Sequence, residues 1–287
     1  MASILWGTTG TVASFAPNLS PLAIGAIAMG GGGLLQALLA HKKILTHLPQ
    51  IRTYFPLLFI GMVTVAIYPL AFYSSMRMAG ITIGTVVSIG SAPLFSALLE
   101  KIFDQKALSK PWFISFIFGA IGIFLLAMGE SHSQTLSQHL TTKHKVLGIL
   151  LGLIAALSYA SYSWAAKKMI DRGVDAKASM GLIFGCGALI LLPTAYFTGS
   201  NLFDETVNLY VVSYMMLIPM FLGYLLFGYA LKTIPASTAT TLTLFEPLIA
   251  ALLAVLLVGE QLAPIGWIGM VLIFICLAVL SKTSQPQ

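Results

Sequence analysis

Ten apolar runs, each about as long as a membrane-crossing helix, follow one another along almost the whole chain. They lie at about 2–17, 21–40, 55–76, 81–99, 111–129, 146–166, 177–199, 209–231, 235–257 and 262–281. A hydrocarbon core about 30 Å thick needs about 20 residues of helix. Backbone in lipid is satisfied only within helices or closed barrels, and runs of this length belong to helices. The runs take up about 200 of the 287 residues, which leaves no room for a soluble domain. Charged residues make up only 8% of the chain, against roughly 25% in a soluble domain. The expected fold class is an all-α integral membrane protein with ten transmembrane helices. The first run reads as a span and not as a signal peptide, because no Lys or Arg precedes it and Pro17 follows its small residues.

A net charge of +6 invites a nucleic-acid partner, but the placement of the charges argues against one. Of the 15 Lys and Arg residues, 12 fall in the segments after even-numbered runs, among them Lys42, Lys43, Arg52, Lys101, Lys167, Lys168 and Arg172. Only Arg77, Lys143 and Lys145 fall on the opposite side. Such a bias places both termini in the cytoplasm. The basicity is a topology signal, so membrane lipid is an expected partner and nucleic acid is not.

The chain also repeats itself. Setting Pro93 on Pro247 places PLFSALL over PLIAALL, with five identities in seven positions. At similar offsets Phe72 falls on Phe227, Arg77 on Lys232 and Trp6 on Tyr159. The longest polar stretch, residues 130–145, lies between the fifth and sixth runs. Two five-helix repeats are therefore expected, at 1–129 and 146–287, with 130–145 as the linker. Five is odd, so the second repeat enters the membrane from the other side and the pair is inverted. Inverted repeats put a site near the midplane and permit mirror-related states open to either side.

Glu246 is the one acid well inside a run, directly before Pro247. An intramembrane ionisable residue costs about 2.5–3.5 kcal/mol on insertion scales and is functional by default. Two roles stay open: a binder of protons or of a cationic substrate group, or a hydrogen-bonded support for the proline break. Its repeat counterpart is Ala92. Pro93 and Pro247 are both expected to break their helices. Ser88, Ser91, Thr240, Thr241 and Thr243 lie beside these prolines, where hydroxyls satisfy freed backbone groups or line a wet cavity. Aromatic residues form a second group. Trp112, Tyr196, Tyr210 and Trp267 lie near run ends, as in interfacial belts. Trp6, Tyr68, Tyr159 and Tyr224 sit deeper or beside Gly or Pro, where an aromatic wall for an organic substrate is reasonable.

The run Gly30–Gly33 has no following Lys-Ser/Thr and reads as close helix packing or a flexible gate, not a phosphate loop. His132, His139 and His144 lie in the linker with no tight ligand spacing, and Cys186 and Cys276 stand alone, so neither metal nor cofactor is expected. A membrane-embedded enzyme would need paired acids, a His cluster or a nucleophile with its base, none of which the runs supply.

Ile4–Thr8 (ILWGT), Ser91-Ala92-Pro93, Ser158–Ser161 (SYAS) and above all Tyr229–Gly269 resemble the EamA-like ten-helix transporters of the drug/metabolite transporter superfamily. The resemblance covers essentially the whole chain. It departs in the first half, where Gln105-Lys106 stands for Gly259-Glu260 and the usual Arg of the second helix is replaced by glycines. The resemblance implies export, less often import, of small metabolites such as amino acids across a bacterial inner membrane. The chain is thus expected to be a secondary active transporter, a monomer or homodimer, working by alternating access. Substrate contacts are expected at Trp6, Tyr68, Ser91, Tyr159, Tyr224, Thr243 and Glu246, with Glu246 also the coupling residue for protons. A facilitative uniporter or importer is the alternative.

Overall fold

With no water to bond their peptide groups, the apolar runs close into helices. A computed structural model describes residues 1–107, 109–129, 142–259 and 261–283, and these are all-helical. Among the described residues the helices group into ten rods, apart from a short helix at Leu48–Thr53. The first, α1, is split into Ala2–Gly7 and Thr9–Ala13. Then come α2 (Pro21–Thr46), α3 (Phe55–Ala79), α4 (Ile81–Asp104) and α5 (Lys110–Gly129). The second set is α6 (Thr142–Asp171), α7 (Ala176–Thr198), α8 (Thr206–Ala230), α9 (Ala236–Leu242 continued by Phe245–Leu253) and α10 (Pro264–Thr283). Eight of the rods, α2 to α9, are long and apolar enough to cross a membrane; α1 is short and split, and α10 is apolar over Pro264–Leu280. Residues 130–141, with His132 and His139, lie outside the described residues, whereas 142–145 form the first turn of α6.

The most extensive helix contacts are α2 with α7, α3 with α6 and α5 with α10. Several other pairs come in related sets: α4 with α6 answers α9 with α1, α3 with α7 answers α8 with α2, and α8 with α1 answers α3 with α6. Exchanging helix k for helix k+5 turns this list into itself. Close approach at the self-paired contacts depends on glycine. A Cβ on Gly33 of α2 would stand 2.3 Å from the Phe184 carbonyl oxygen of α7. One on Gly129 of α5 would stand 2.4 Å from Gly266 Cα of α10. Without a hydrophobic force between lipid-bathed helices, this small-residue packing is what holds them together. The glycine run is therefore used here for contact.

The loops alternate between two ends of the bundle. At one end Lys43 lies 3.9 Å from Asp175, and the Arg172 guanidinium sits 5.0 Å over the Tyr54 ring. At the same end Lys168 pairs with Asp104, which also accepts Trp164 Nε1 at 2.9 Å. At the other end Asn18 donates to Glu205 at 3.1 Å, and Ala263 N–H donates to the Gly129 carbonyl at 2.9 Å.

Two local expectations need correction. The sequence predicts a break at Pro93, yet α4 runs through it without interruption. Pro247 follows a true break, the turn at Thr243–Leu244. A lost bond at a proline is absorbed as a bend unless other groups also compete for the backbone. In α9 they do. Thr240, Thr241 and Thr243 hydroxyls donate to the carbonyls of Ala236, Ser237 and Thr240 at 2.9, 2.7 and 2.7 Å. Back-bonding of this kind weakens a helix. Trp112, expected at a membrane interface, is instead buried and stacked on Phe116 with centroids 5.6 Å apart.

Candidate functional site

A small cavity of about 50 Å³ lies close to halfway along the bundle. Trp6 and Thr9 reach it from α1, Gly25 and Met29 from α2, and Tyr68, Pro69, Phe72 and Tyr73 from α3. Tyr159 of α6, Met220 and Tyr224 of α8 and Glu246 of α9 complete the lining. Ligand pockets for organic molecules usually hold about 300–1,000 Å³, so the cavity in this conformation is contracted around room for a few waters.

Each side chain is placed by a local feature of its helix. A Cβ on Gly7 would lie 2.6 Å from Ile249 Cβ and 2.9 Å from the Glu246 carbonyl oxygen, so glycine lets α1 press against the broken segment of α9. That contact sets Trp6 beside Glu246. Trp6 Nε1 then donates to the Pro219 carbonyl at 2.8 Å. Pro219 lies in the π-helical stretch Met216–Gly223 of α8, the kind of widened turn found at functional sites. A Cβ on Gly25 would collide with the Tyr73 ring at 2.4 Å, so Gly25 admits that ring to the cavity wall.

The aromatic rings form one connected set. Trp6 meets Tyr224 at 4.7 Å and Phe227 at 5.5 Å, while Tyr68 meets Phe72 at 5.7 Å and Tyr159 at 5.5 Å. Behind them Tyr162 and Tyr224 share a hydroxyl hydrogen bond at 2.8 Å, and Phe184 packs on Tyr224 at 4.3 Å. The Tyr159 hydroxyl donates to Thr243 Oγ1 at 3.0 Å, directly at the α9 break. Glu246 therefore faces Tyr68, Tyr73, Tyr159 and Tyr224, and no Lys, Arg or His is among the described lining residues.

Of the residues singled out from sequence, Trp6, Tyr68, Tyr159, Tyr224 and Glu246 come together on this cavity. Thr243 is buried just behind it and touches it through Tyr159. Ser91 is half-buried on α4 and is not among the lining residues. Phe72 and Tyr73 belong to the aromatic group but not to the site expected from sequence. Thr9, Gly25, Met29, Pro69 and Met220 carry no chemical signal of their own.

One buried acid escapes the sequence reasoning. Glu100 lies at the end of its apolar run, where a charged residue passes for an interfacial one, yet it is only 3% exposed. Its Oε1 accepts Ala236 N–H at 2.8 Å and its Oε2 accepts the Ser237 hydroxyl at 2.5 Å. The carboxylate thus caps the start of α9, where peptide donors lack helical partners.

The profile of the EamA-like transporter family matches residues 1–128 and 146–282. The chain is 32% identical to the uncharacterized transporter YwfM of Bacillus subtilis, over 100% of this chain and 93% of that one. It is 24% identical to the uncharacterized inner membrane transporter YedA of Escherichia coli, over 99% of this chain and 90% of that one. A crystal structure with 18% identity superimposes with a TM-score of 0.77, covering 99% of this chain and 94% of its own, and so shares the fold. A multi-pass helical membrane protein with these relatives is a transporter and not an enzyme, and the chain belongs to the EamA-like transporter family.

Proposed function

We infer that this transporter exports a small organic metabolite of about amino-acid size across the inner membrane, by alternating access coupled to protons. The moving bodies in this reading are the inverted repeats 1–129 and 146–287, joined by 130–145, with both termini in the cytoplasm. The export direction follows the family resemblance, and the orientation follows the 12 basic residues gathered on one side.

The observation that carries the reading is the cavity itself. It draws lining from α1, α2 and α3 of one repeat and α6, α8 and α9 of the other, and it holds one carboxyl group. A site shared between repeats is remade when they rock against each other, so it opens first to one side and then to the other. Trp6, Tyr68, Tyr159 and Tyr224 supply the substrate wall. Thr243 acts by holding the Tyr159 hydroxyl, and Ser91 has no part in this conformation. Glu246 is the group that takes up a proton facing one compartment and yields it facing the other, ringed by Tyr68, Tyr73, Tyr159 and Tyr224.

The test is counterflow. Vesicles carrying the purified protein and loaded with a high concentration of an unlabelled metabolite should transiently accumulate the labelled compound above equilibrium. A carrier gives this overshoot. A panel of small metabolites that enters without overshoot, or not at all, would overturn the reading.

A further inference from the structure

We propose that the substrate of this cavity is an organic cation, an amine or quaternary ammonium that carries no free carboxylate. The inference rests on the transport reading above and narrows it to a charge class.

The charge balance of the lining comes first. Glu246 is the one ionisable carboxyl at the cavity, and no Lys, Arg or His stands beside it among the described lining residues. No hydrogen bond or ion pair joins the Glu246 side chain to another described side chain. A zwitterionic or anionic solute would bring a second carboxylate into this space with no cationic side chain to meet it, and like charges brought together out of water repel strongly. A cation meets a single free counter-charge.

The aromatic set points the same way. The donors of Trp6 and Tyr159 are committed to Pro219 and Thr243, and the bond between Tyr162 and Tyr224 uses one of their two hydroxyl protons. Trp6 and Tyr159 therefore offer a ligand their ring surface more than their donors. Ring surfaces within about 6 Å of a cation attract it, most strongly where water is excluded, and several such rings recognise quaternary ammonium groups. Tyr68, between Phe72 at 5.7 Å and Tyr159 at 5.5 Å, sits at the centre of this wall. One carboxylate holding either a proton or the cation also gives exchange of one for the other without any further group.

Two charge series on fixed skeletons test this in vesicles carrying the full-length protein. One is choline, glycine betaine and 3,3-dimethylbutan-1-ol; the other is phenylalaninamide, phenylalanine and 3-phenylpropanoate. Each compound is measured as an inhibitor and, where labelled, as a counterflow substrate. The cation of a series should act at concentrations at least about tenfold below its zwitterionic, anionic or neutral partner. Glu246→Gln should abolish that preference, and Tyr68→Leu should weaken cation inhibition more than Tyr68→Phe. A zwitterion or anion that matches or beats the cation overturns the charge class while transport stands, because counterflow is still seen. Absence of inhibition by both cations also overturns it, and absence of counterflow by every compound tells against transport itself. The charge series on the parent protein decides the question even if a variant fails to fold.

Discussion

Glu100 Oε2 accepts the Ser237 hydroxyl at 2.5 Å in the buried seam between the end of α4 and the start of α9. The position 154 residues beyond Glu100 is Ala254, so the repeat has no matching carboxylate at the other end of this helix pair. The tie is one-sided. It joins α4 to α9 at the end of the bundle where Asp104 meets Lys168.

Loss of that carboxylate leaves Ala236 N–H and the Ser237 hydroxyl without their acceptor. A buried group stripped of its partner costs about 1–3 kcal/mol. Glu100→Ala is expected to lower the unfolding temperature in detergent and to raise labelling of a cysteine placed at Thr240 by a reagent added at that end. Glu100→Gln, which keeps one acceptor oxygen, is expected to fall between Glu100→Ala and the parent. Equal stability and labelling in all three would show that the tie does not hold α9 against α4.

Gly7 and Gly10 make a matched pair, because both lie on α1 and only one faces a neighbour. A Cβ at Gly7 would meet Ile249 at 2.6 Å, whereas one at Gly10 meets nothing within 4 Å. Overpacking of this kind costs typically about 1–3 kcal/mol. Gly7→Ala should therefore destabilise the protein and impair transport by moving Trp6 away from Glu246, and Gly10→Ala should do neither. Thermal unfolding and counterflow of the two variants check this side by side.

Tyr162 and Tyr224 share one buried hydroxyl bond at 2.8 Å. Tyr162→Phe and Tyr224→Phe each leave one hydroxyl stranded, at about 1–3 kcal/mol apiece. The double variant strands neither and should cost clearly less than the sum of the two, which a double-mutant cycle of unfolding free energies measures. Additive costs would mean that the bond is not formed in the membrane.

The helical architecture was legible because hydrophobic runs of membrane length have few other solutions. The internal likeness of the two halves stands in the sequence itself, where PLFSALL at Pro93 answers PLIAALL at Pro247. Five of the seven substrate residues expected from sequence meet at one cavity, and they are the ones with large or charged side chains in apolar runs. What the sequence hid was of two kinds. Gly25 and Gly7 matter through the atoms they lack, and only the facing helix reveals that Tyr73 and Ile249 fill the space. Glu100 sits where a run ends, so its burial depended on knowing that α9 begins against it. Likewise the contrast between Pro93 and Pro247 came from three back-bonded threonines, and proline itself is common to both helices.

Proton movement driven by substrate measures the role of Glu246 directly. Vesicles carrying the purified transporter and a trapped pH dye would receive choline or phenylalaninamide, with the external pH held constant. The parent protein should move protons against the incoming cation, and Glu246→Gln, folded and inserted to the same extent, should move none. Equal proton flux in the two proteins would contradict a coupling role for Glu246.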